Sequence, residues 1–167
     1  EFLSRNGGSL KWEQARPLFL PLIDTVKGMN DLGIIHGGIS TDTILVGRDG
    51  KLRISGYSVR KLRYADNELE CELFPGFAAI EQYGTNDMHM DMYTDVYALC
   101  AVLFNVLIGT VPAAAPDRLQ NDSMSIPAKF AEELPRHVLA ALANGLQVLP
   151  ENRTQDIENF KNELVYA

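Results

Sequence analysis

The chain has 167 residues, of which 46% are hydrophobic and 22% are charged, as is typical of one soluble globular domain with a buried core. Its 22 acidic and 15 basic residues give a formal net charge of -7. We therefore predict that it binds neither nucleic acid nor an anionic membrane surface, since both require a positive field.

The cysteine content and the absence of a long apolar run favour a cytoplasmic location. The two cysteines, Cys71 and Cys100, form no disulfide framework, which favours a reducing compartment. No signal peptide is recognisable and no apolar stretch reaches membrane length, so no membrane contact is predicted for this segment. Whether a longer parent chain is tethered to a membrane stays open.

The first predicted elements are helical. Residues 1–5 are predicted to end a helix, which the turn at residues 6–8 stops. A longer helix is predicted from about residue 9 to residue 32, because apolar residues recur at helical spacing. Pro17 and Pro21 lie inside this helix, and Pro21 is expected to remove a backbone hydrogen bond and bend it. The apolar positions are Leu18, Leu22, Val26 and Met29.

A β-hairpin and an extended segment follow. Ile44–Val46 and residues 51–54 are predicted strands, joined by a tight turn at residues 47–50. Further on, acidic and apolar residues alternate, which predicts an extended segment with one wet face. A short helix is predicted at residues 79–83. The alternating acids are Glu68, Glu70 and Glu72.

The second half of the chain is predicted to be mainly helical. Residues 95–108 are apolar on all sides, which predicts a central helix surrounded by other elements. Residues 112–129 are predicted to be mostly loop, with a short helix near residues 117–120. Two final helices are predicted at 135–149, where Pro135 takes the first helical position, and at 154–165, where Thr154 is the cap. The predicted class is therefore mainly α (α+β).

Five segments stand in the order and spacing of known motifs. The segment LGIIHGGISTDTIL stands where a catalytic loop H-R-D-x-x-x-x-N would be, and KLRISGYS stands where a D-F-G metal loop would be. FAAIEQYG, YTDVYALCAVLFNVLIG and VLPENRT are similar to the A-P-E segment, the central helix with its buried aspartate, and the arginine turn between the last two helices. Together they resemble the C-terminal lobe of a eukaryotic-type Ser/Thr protein kinase, most like the bacterial branch, over about residues 1–165.

This resemblance implies a protein-kinase-like C-terminal lobe, helical with a small β-hairpin, as a single unit over residues 1–167. It also implies that the sequence begins within the helix after the hinge, so that the N-terminal lobe with its glycine-rich loop, lysine and glutamate is absent. The surface that faces such a lobe is then expected to be apolar and uncovered, and self-association through it is expected.

The resemblance places the catalytic groups on residues that lack the required chemistry. The base carboxylate, the lysine, the asparagine and the metal-loop aspartate fall on Gly38, Ser40, Thr43 and Gly56. We therefore predict no catalytic residue, no cofactor and no metal ligand, and hence a pseudokinase that is not an enzyme. Asp42 is the one acid nearby, but by position it matches a solvent-facing residue of the family loop.

The regulatory groups of the family are also missing. Gly37 stands where the family has an arginine that receives a phosphate. Between Val59 and Ile80 the chain has no serine or threonine, and Tyr64 is the single hydroxyl. The acidic run at residues 68–72 is interpreted either as a phosphate mimic or as a solvated strand face.

Four matching residues survive, and the resemblance gives each a structural role. His36 is expected to hydrogen-bond the main chain of the metal loop. Glu81 and Arg153 are expected to form a buried ion pair. Asp95 is expected to accept main-chain N–H bonds from the loop at residues 36–38.

A protein partner is predicted, docking on residues 74–83 and on a groove beside residues 112–119. The docking residues are Phe74, Pro75, Gly76, Phe77 and Tyr83. Two alternatives stay open: an active or weakly active kinase that uses unusual groups, and a nucleotide-sensing module without phosphotransfer.

Three weaker clusters are interpreted mainly as surface. Residues 87–92 combine hard and soft metal ligands in one loop. His137 lies at a helix start. A small basic patch is formed by Arg60, Lys61 and Arg63.

Overall fold

A computed structural model describes residues 1–56, 73–84 and 88–166. In these ranges the chain is mainly helical, with one two-stranded antiparallel sheet. The elements in chain order are α1 (Phe2–Arg5), α2 (Trp12–Asp31), β1 (Ile44–Val46), β2 (Leu52–Ile54), a 3₁₀-helix (Ile80–Tyr83), α3 (Met92–Ile108), α4 (Ala115–Gln120), α5 (Ala128–Glu133), α6 (Arg136–Gly145), a second 3₁₀-helix (Pro150–Asn152) and α7 (Ile157–Val165).

Several predictions fall outside the described residues. They concern the alternating acids, the hydroxyl and the basic patch between residues 57 and 72, and the first residue of the segment at residues 87–92, which is called the Met-rich loop below. These residues are Arg60, Lys61, Arg63, Tyr64, Glu68, Glu70, Cys71, Glu72 and Asp87.

Helix α3 is the centre of the fold, as its all-round apolar sequence predicted. Every residue from 94 to 108 is buried, and the helix packs against α2, α6 and α7. It begins at Met92, three residues before the predicted start, because the Asp91 carboxylate accepts the Met92 N–H at 2.7 Å and the Thr94 hydroxyl accepts the Asp91 N–H at 3.1 Å. Gly109, at φ 89°, ends it.

Helix α2 runs without interruption through both of its prolines. The Thr25 hydroxyl donates to the Pro21 carbonyl at 3.1 Å. The Lys161 ammonium contacts Asp24 at 2.6 Å and links α7 to α2. The predicted bend at Pro21 stays a prediction. The apolar residues on the buried face of α2 are Trp12, Ala15, Phe19, Leu22, Ile23 and Val26.

The predicted hairpin is confirmed, with β2 one residue shorter than expected. Ile44 pairs with Ile54 and Val46 pairs with Leu52, and the sheet packs against α2. The Arg53 guanidinium reaches back to Asp49 in the turn through two bonds of 2.9 Å.

Three predicted boundaries in the second half are wrong. Thr154 does not cap the last helix; its hydroxyl donates to Glu163 at 2.9 Å, and Asp156 caps α7 by accepting the Asn159 N–H at 2.8 Å. Helix α6 ends at Gly145, four residues before the predicted end at residue 149, and the second 3₁₀-helix begins at Pro150. Pro135 is the residue before the first helical residue rather than that residue itself.

The region predicted to be mostly loop, residues 112–129, contains one short helix, and a second short helix begins at its end. Helix α4 starts two residues before the expected segment, and α5 was not predicted. All residues of α5 are exposed except Phe130, which packs half-buried against the core. Its sequence therefore has no helical apolar period, although alanine and glutamate favour helix.

No helix in the described part of the chain has the length and apolar character needed to cross a membrane.

Two helical glycines give a matched test of the packing around α3. A β-carbon on Gly145 would lie 2.7 Å from the Cys100 sulfur, whereas one on Gly28 would meet nothing within 4 Å. We expect Gly145→Ala to lower the free energy of unfolding by about 1–3 kcal/mol through overpacking. Gly28→Ala should raise it by roughly 0.5–1 kcal/mol through helix propensity. Urea unfolding measures both, and equal effects would contradict the close approach of α6 to α3.

Candidate functional site

The loop that matches the kinase catalytic loop is held by one buried carboxylate of α3. Asp95 accepts the main-chain N–H groups of His36 and Gly37, each at 2.9 Å. The side-chain amide of Asn30, on α2, donates to the same carboxylate at 3.0 Å. The structure thus brings Asp95 to the loop positions that the sequence predicted, and it adds Asn30.

Burial governs the titration of this carboxyl. Removal from water raises the pKa of Asp95 above its ordinary value, while the bonds from Gly37, Asn30 and His36 act in the opposite direction. All three contacts come from N–H donors, so Asp95 serves purely as an acceptor.

His36 connects this loop to the end of the hairpin. Its ring nitrogen Nε2 lies 2.8 Å from the Ser55 carbonyl, and its Nδ1 accepts the Gly38 N–H at 3.0 Å. The imidazole is 2% exposed. His36 therefore lies inside the scaffold, against the main chain just before the position that matches the metal loop.

Two of the four positions that match the catalytic groups of kinases carry hydroxyls, and both hydroxyls bond to atoms of their own loop. The Thr43 hydroxyl donates to the Gly38 carbonyl at 2.7 Å and accepts the Ser40 N–H at 2.9 Å. The Ser40 hydroxyl accepts the Asp42 N–H at 3.1 Å, and Ser40 is fully buried. These oxygens stabilise the loop backbone, as in turns built on serine and threonine.

The two glycine positions differ in conformation. Gly56 has φ 86°, a left-handed value at which a side chain is strained. A β-carbon on Gly38 would make ordinary contacts, at 3.6 Å to the His36 ring and 3.9 Å to the Phe74 ring. Space for a side chain thus exists at Gly38, and an apolar ring lies beside it.

Few charged side chains lie near the loop at residues 36–43. The Asp42 side chain is exposed at the edge of the loop. Over residues 1–56, 73–84 and 88–166, no group of three or more His, Cys, Asp or Glu side chains is close enough to hold a metal ion. In the Met-rich loop, Met88 and Met90 are half-buried and His89 is exposed; His137 is half-buried on α6.

Gln82 links the docking segment to the loop, a contact that the sequence motifs did not reveal. Its side-chain amide donates to the Gly37 carbonyl at 2.6 Å and accepts the Ala79 N–H at 3.1 Å. The second bond resembles one half of a capping box, but Ala79 lacks the side-chain oxygen by which that motif is recognised in a sequence. The first spans 45 positions and follows only from the fold.

The ion pair predicted between Glu81 and Arg153 is present and fully buried. Its two contacts measure 2.6 and 3.2 Å. The Thr94 hydroxyl donates to Glu81 at 2.8 Å. The guanidinium also donates to three main-chain carbonyls and lies 4.9 Å from the centre of the Tyr97 ring. The carbonyls are those of Tyr93, Gln147 and Val148.

A second arginine cluster, which the sequence motifs did not reveal, holds α4 in place. Arg118 is 3% exposed and donates to the Tyr97 hydroxyl at 2.9 Å. It also holds Asp122 through two bonds of 3.0 Å, which lower the pKa of that carboxyl. Helix α4, beside the predicted groove, is therefore anchored to the central helix.

The predicted docking segment lies between the loop and residues 111–112. Phe74 and Tyr83 are half-buried, Pro75 is exposed and Phe77 is buried. Gly76, at φ 89°, packs so closely that a β-carbon would lie 2.4 Å from a methyl group of Val111. In the described part of the chain, the buried Tyr83 hydroxyl has no hydrogen-bond partner.

Comparison with known proteins identifies the fold. No known family's sequence profile matches the chain. It is 28% identical over 138 residues to the sperm motility kinase Tcr mutant form of Mus musculus, covering 78% of this chain and 28% of that protein. It is 22% identical over 180 residues to serine/threonine-protein kinase cds1 of Schizosaccharomyces pombe, covering 100% of this chain and 39% of that protein.

A solved structure agrees with these likenesses. The apo form of PpkA-294 matches with a TM-score of 0.75 and 25% identity, covering 95% of this chain and 56% of that one. The chain thus spans 28% and 39% of the lengths of the two curated kinases above. The predicted fold is confirmed: the described part of the chain has a kinase-like C-terminal-lobe fold, mostly helical with a two-stranded antiparallel sheet.

The buried ion pair gives a test of the scaffold. We expect Arg153→Met to lower the free energy of unfolding by about 3–5 kcal/mol, because Glu81 is left charged and buried. Adding Glu81→Gln should recover part of this loss, since the double variant contains no uncompensated charge. Urea unfolding of the three variants measures the coupling. A loss below about 1 kcal/mol for Arg153→Met, as for an exposed pair, would contradict the role assigned to the pair.

Proposed function

We propose that this chain is a pseudokinase lobe, which keeps the kinase-like scaffold, transfers no phosphate and binds a protein partner. The observation that supports this proposal best is the state of the four catalytic positions. Two are glycines, and the hydroxyls at the other two, Ser40 and Thr43, are bonded to the loop's own backbone.

Phosphoryl transfer in this fold depends on charge. A carboxylate takes the proton of the substrate hydroxyl, a lysine holds the γ-phosphate, and an asparagine and a second carboxylate hold the magnesium ions. Fixed charges of this kind supply most of the transition-state stabilisation. Gly38 and Gly56 have no side chain to supply a carboxylate, and Ser40 and Thr43 are neutral.

The surroundings of Gly38 support the same proposal. The Phe74 ring lies beside the place where a base would project, and the His36 ring is bonded to main chain on both nitrogens. Asp42, the nearest acid, is exposed at the loop edge. An apolar ring beside the base position disfavours the charged substrate and metal that the reaction requires.

The scaffold, in contrast, keeps its buried polar contacts. Asp95 holds the loop, Gln82 ties it to the docking segment, and the ion pair of Glu81 and Arg153 fixes that segment to the C-terminal helices. A surface held this firmly is preorganised for binding, which reduces the entropic cost of association.

The proposed partner surface comprises Phe74, Pro75, Val111 and Leu119, and is called the docking surface below. Val111 is 47% exposed and Leu119 is 50% exposed, and Pro75 is also exposed. Exposed apolar side chains on a rigid base are typical of protein interfaces. We propose a protein or peptide with apolar side chains as the partner.

The first test concerns nucleotide and metal. We expect ATP with magnesium to leave the melting temperature of the chain unchanged, because the two positions that would hold the metal, Thr43 and Gly56, carry neither a carboxylate nor an amide. The matched control is the double variant Gly38→Asp/Gly56→Asp, which restores both carboxylates and should bind manganese detectably by calorimetry. A magnesium-dependent stabilisation of the unmodified chain by ATP, or phosphate transfer lost in Asp42→Asn, would refute the proposed inactivity.

The second test concerns the docking surface. Peptides selected from a random library against the chain should lose about tenfold or more in affinity on Leu119→Asp, since a charge would enter an apolar contact. Leu45→Asp, which changes an equally exposed leucine on the hairpin, should leave their affinity unchanged. Fluorescence anisotropy measures both. If Leu45→Asp abolished binding and Leu119→Asp did not, the partner surface would lie elsewhere.

A further inference from the structure

We draw no further inference here: the strongest candidate, the half-open apolar depression between α1, α2, the hairpin and α3, carries nothing because nothing in the described part of the chain shows what covers it.

Discussion

The structure depends on the contact between the Asp95 carboxylate and the main-chain N–H groups of His36 and Gly37. Main-chain donors are present whatever the side chains are, so this contact holds the loop in place even where residues 37 and 38 are glycines. The same loop is bonded from the other side, by Gln82 to the Gly37 carbonyl. The shape of the loop is therefore independent of its side-chain chemistry, because it is held through backbone contacts that do not require particular side chains at residues 37 and 38.

Three buried residues on one turn of α3 hold three other segments of the chain in place. Thr94 bonds Glu81 and so reaches the ion pair with Arg153, Asp95 holds the loop, and Tyr97 accepts a bond from Arg118. Because all three residues lie on a buried helix, each polar group needs a partner, and each has one. Residues 74–83, the loop and α4 are thus positioned by the same buried helix, so the proposed docking surface would be preorganised if it binds a partner.

Sequence could predict those parts of the fold that depend on local pattern. The apolar run of α3 and the turn of the hairpin follow from periodicity and turn residues, whereas the contact of Asp95 with the loop was expected only from the resemblance to a kinase lobe. The start of α7 does not, because Thr154 and Asp156 are both good caps and the choice depends on where the chain leaves the preceding 3₁₀-helix. Helix α5 has no apolar period, and the contacts of Arg118 with Tyr97 and of Gln82 with Gly37 join residues 21 and 45 positions apart. Such pairs depend on how the elements pack, and no local rule reveals them.

The two hydroxyls of the loop are already used by the protein itself. The Ser40 hydroxyl accepts the Asp42 N–H, and the Thr43 hydroxyl donates to the Gly38 carbonyl and accepts the Ser40 N–H. A phosphate or a metal ion that bound these oxygens would have to compete with contacts that stabilise the loop. Burial alone does not tell whether a polar group is available to a ligand. What decides it is whether the fold already uses the group, and by this criterion Ser40 and Thr43 serve the shape of the loop.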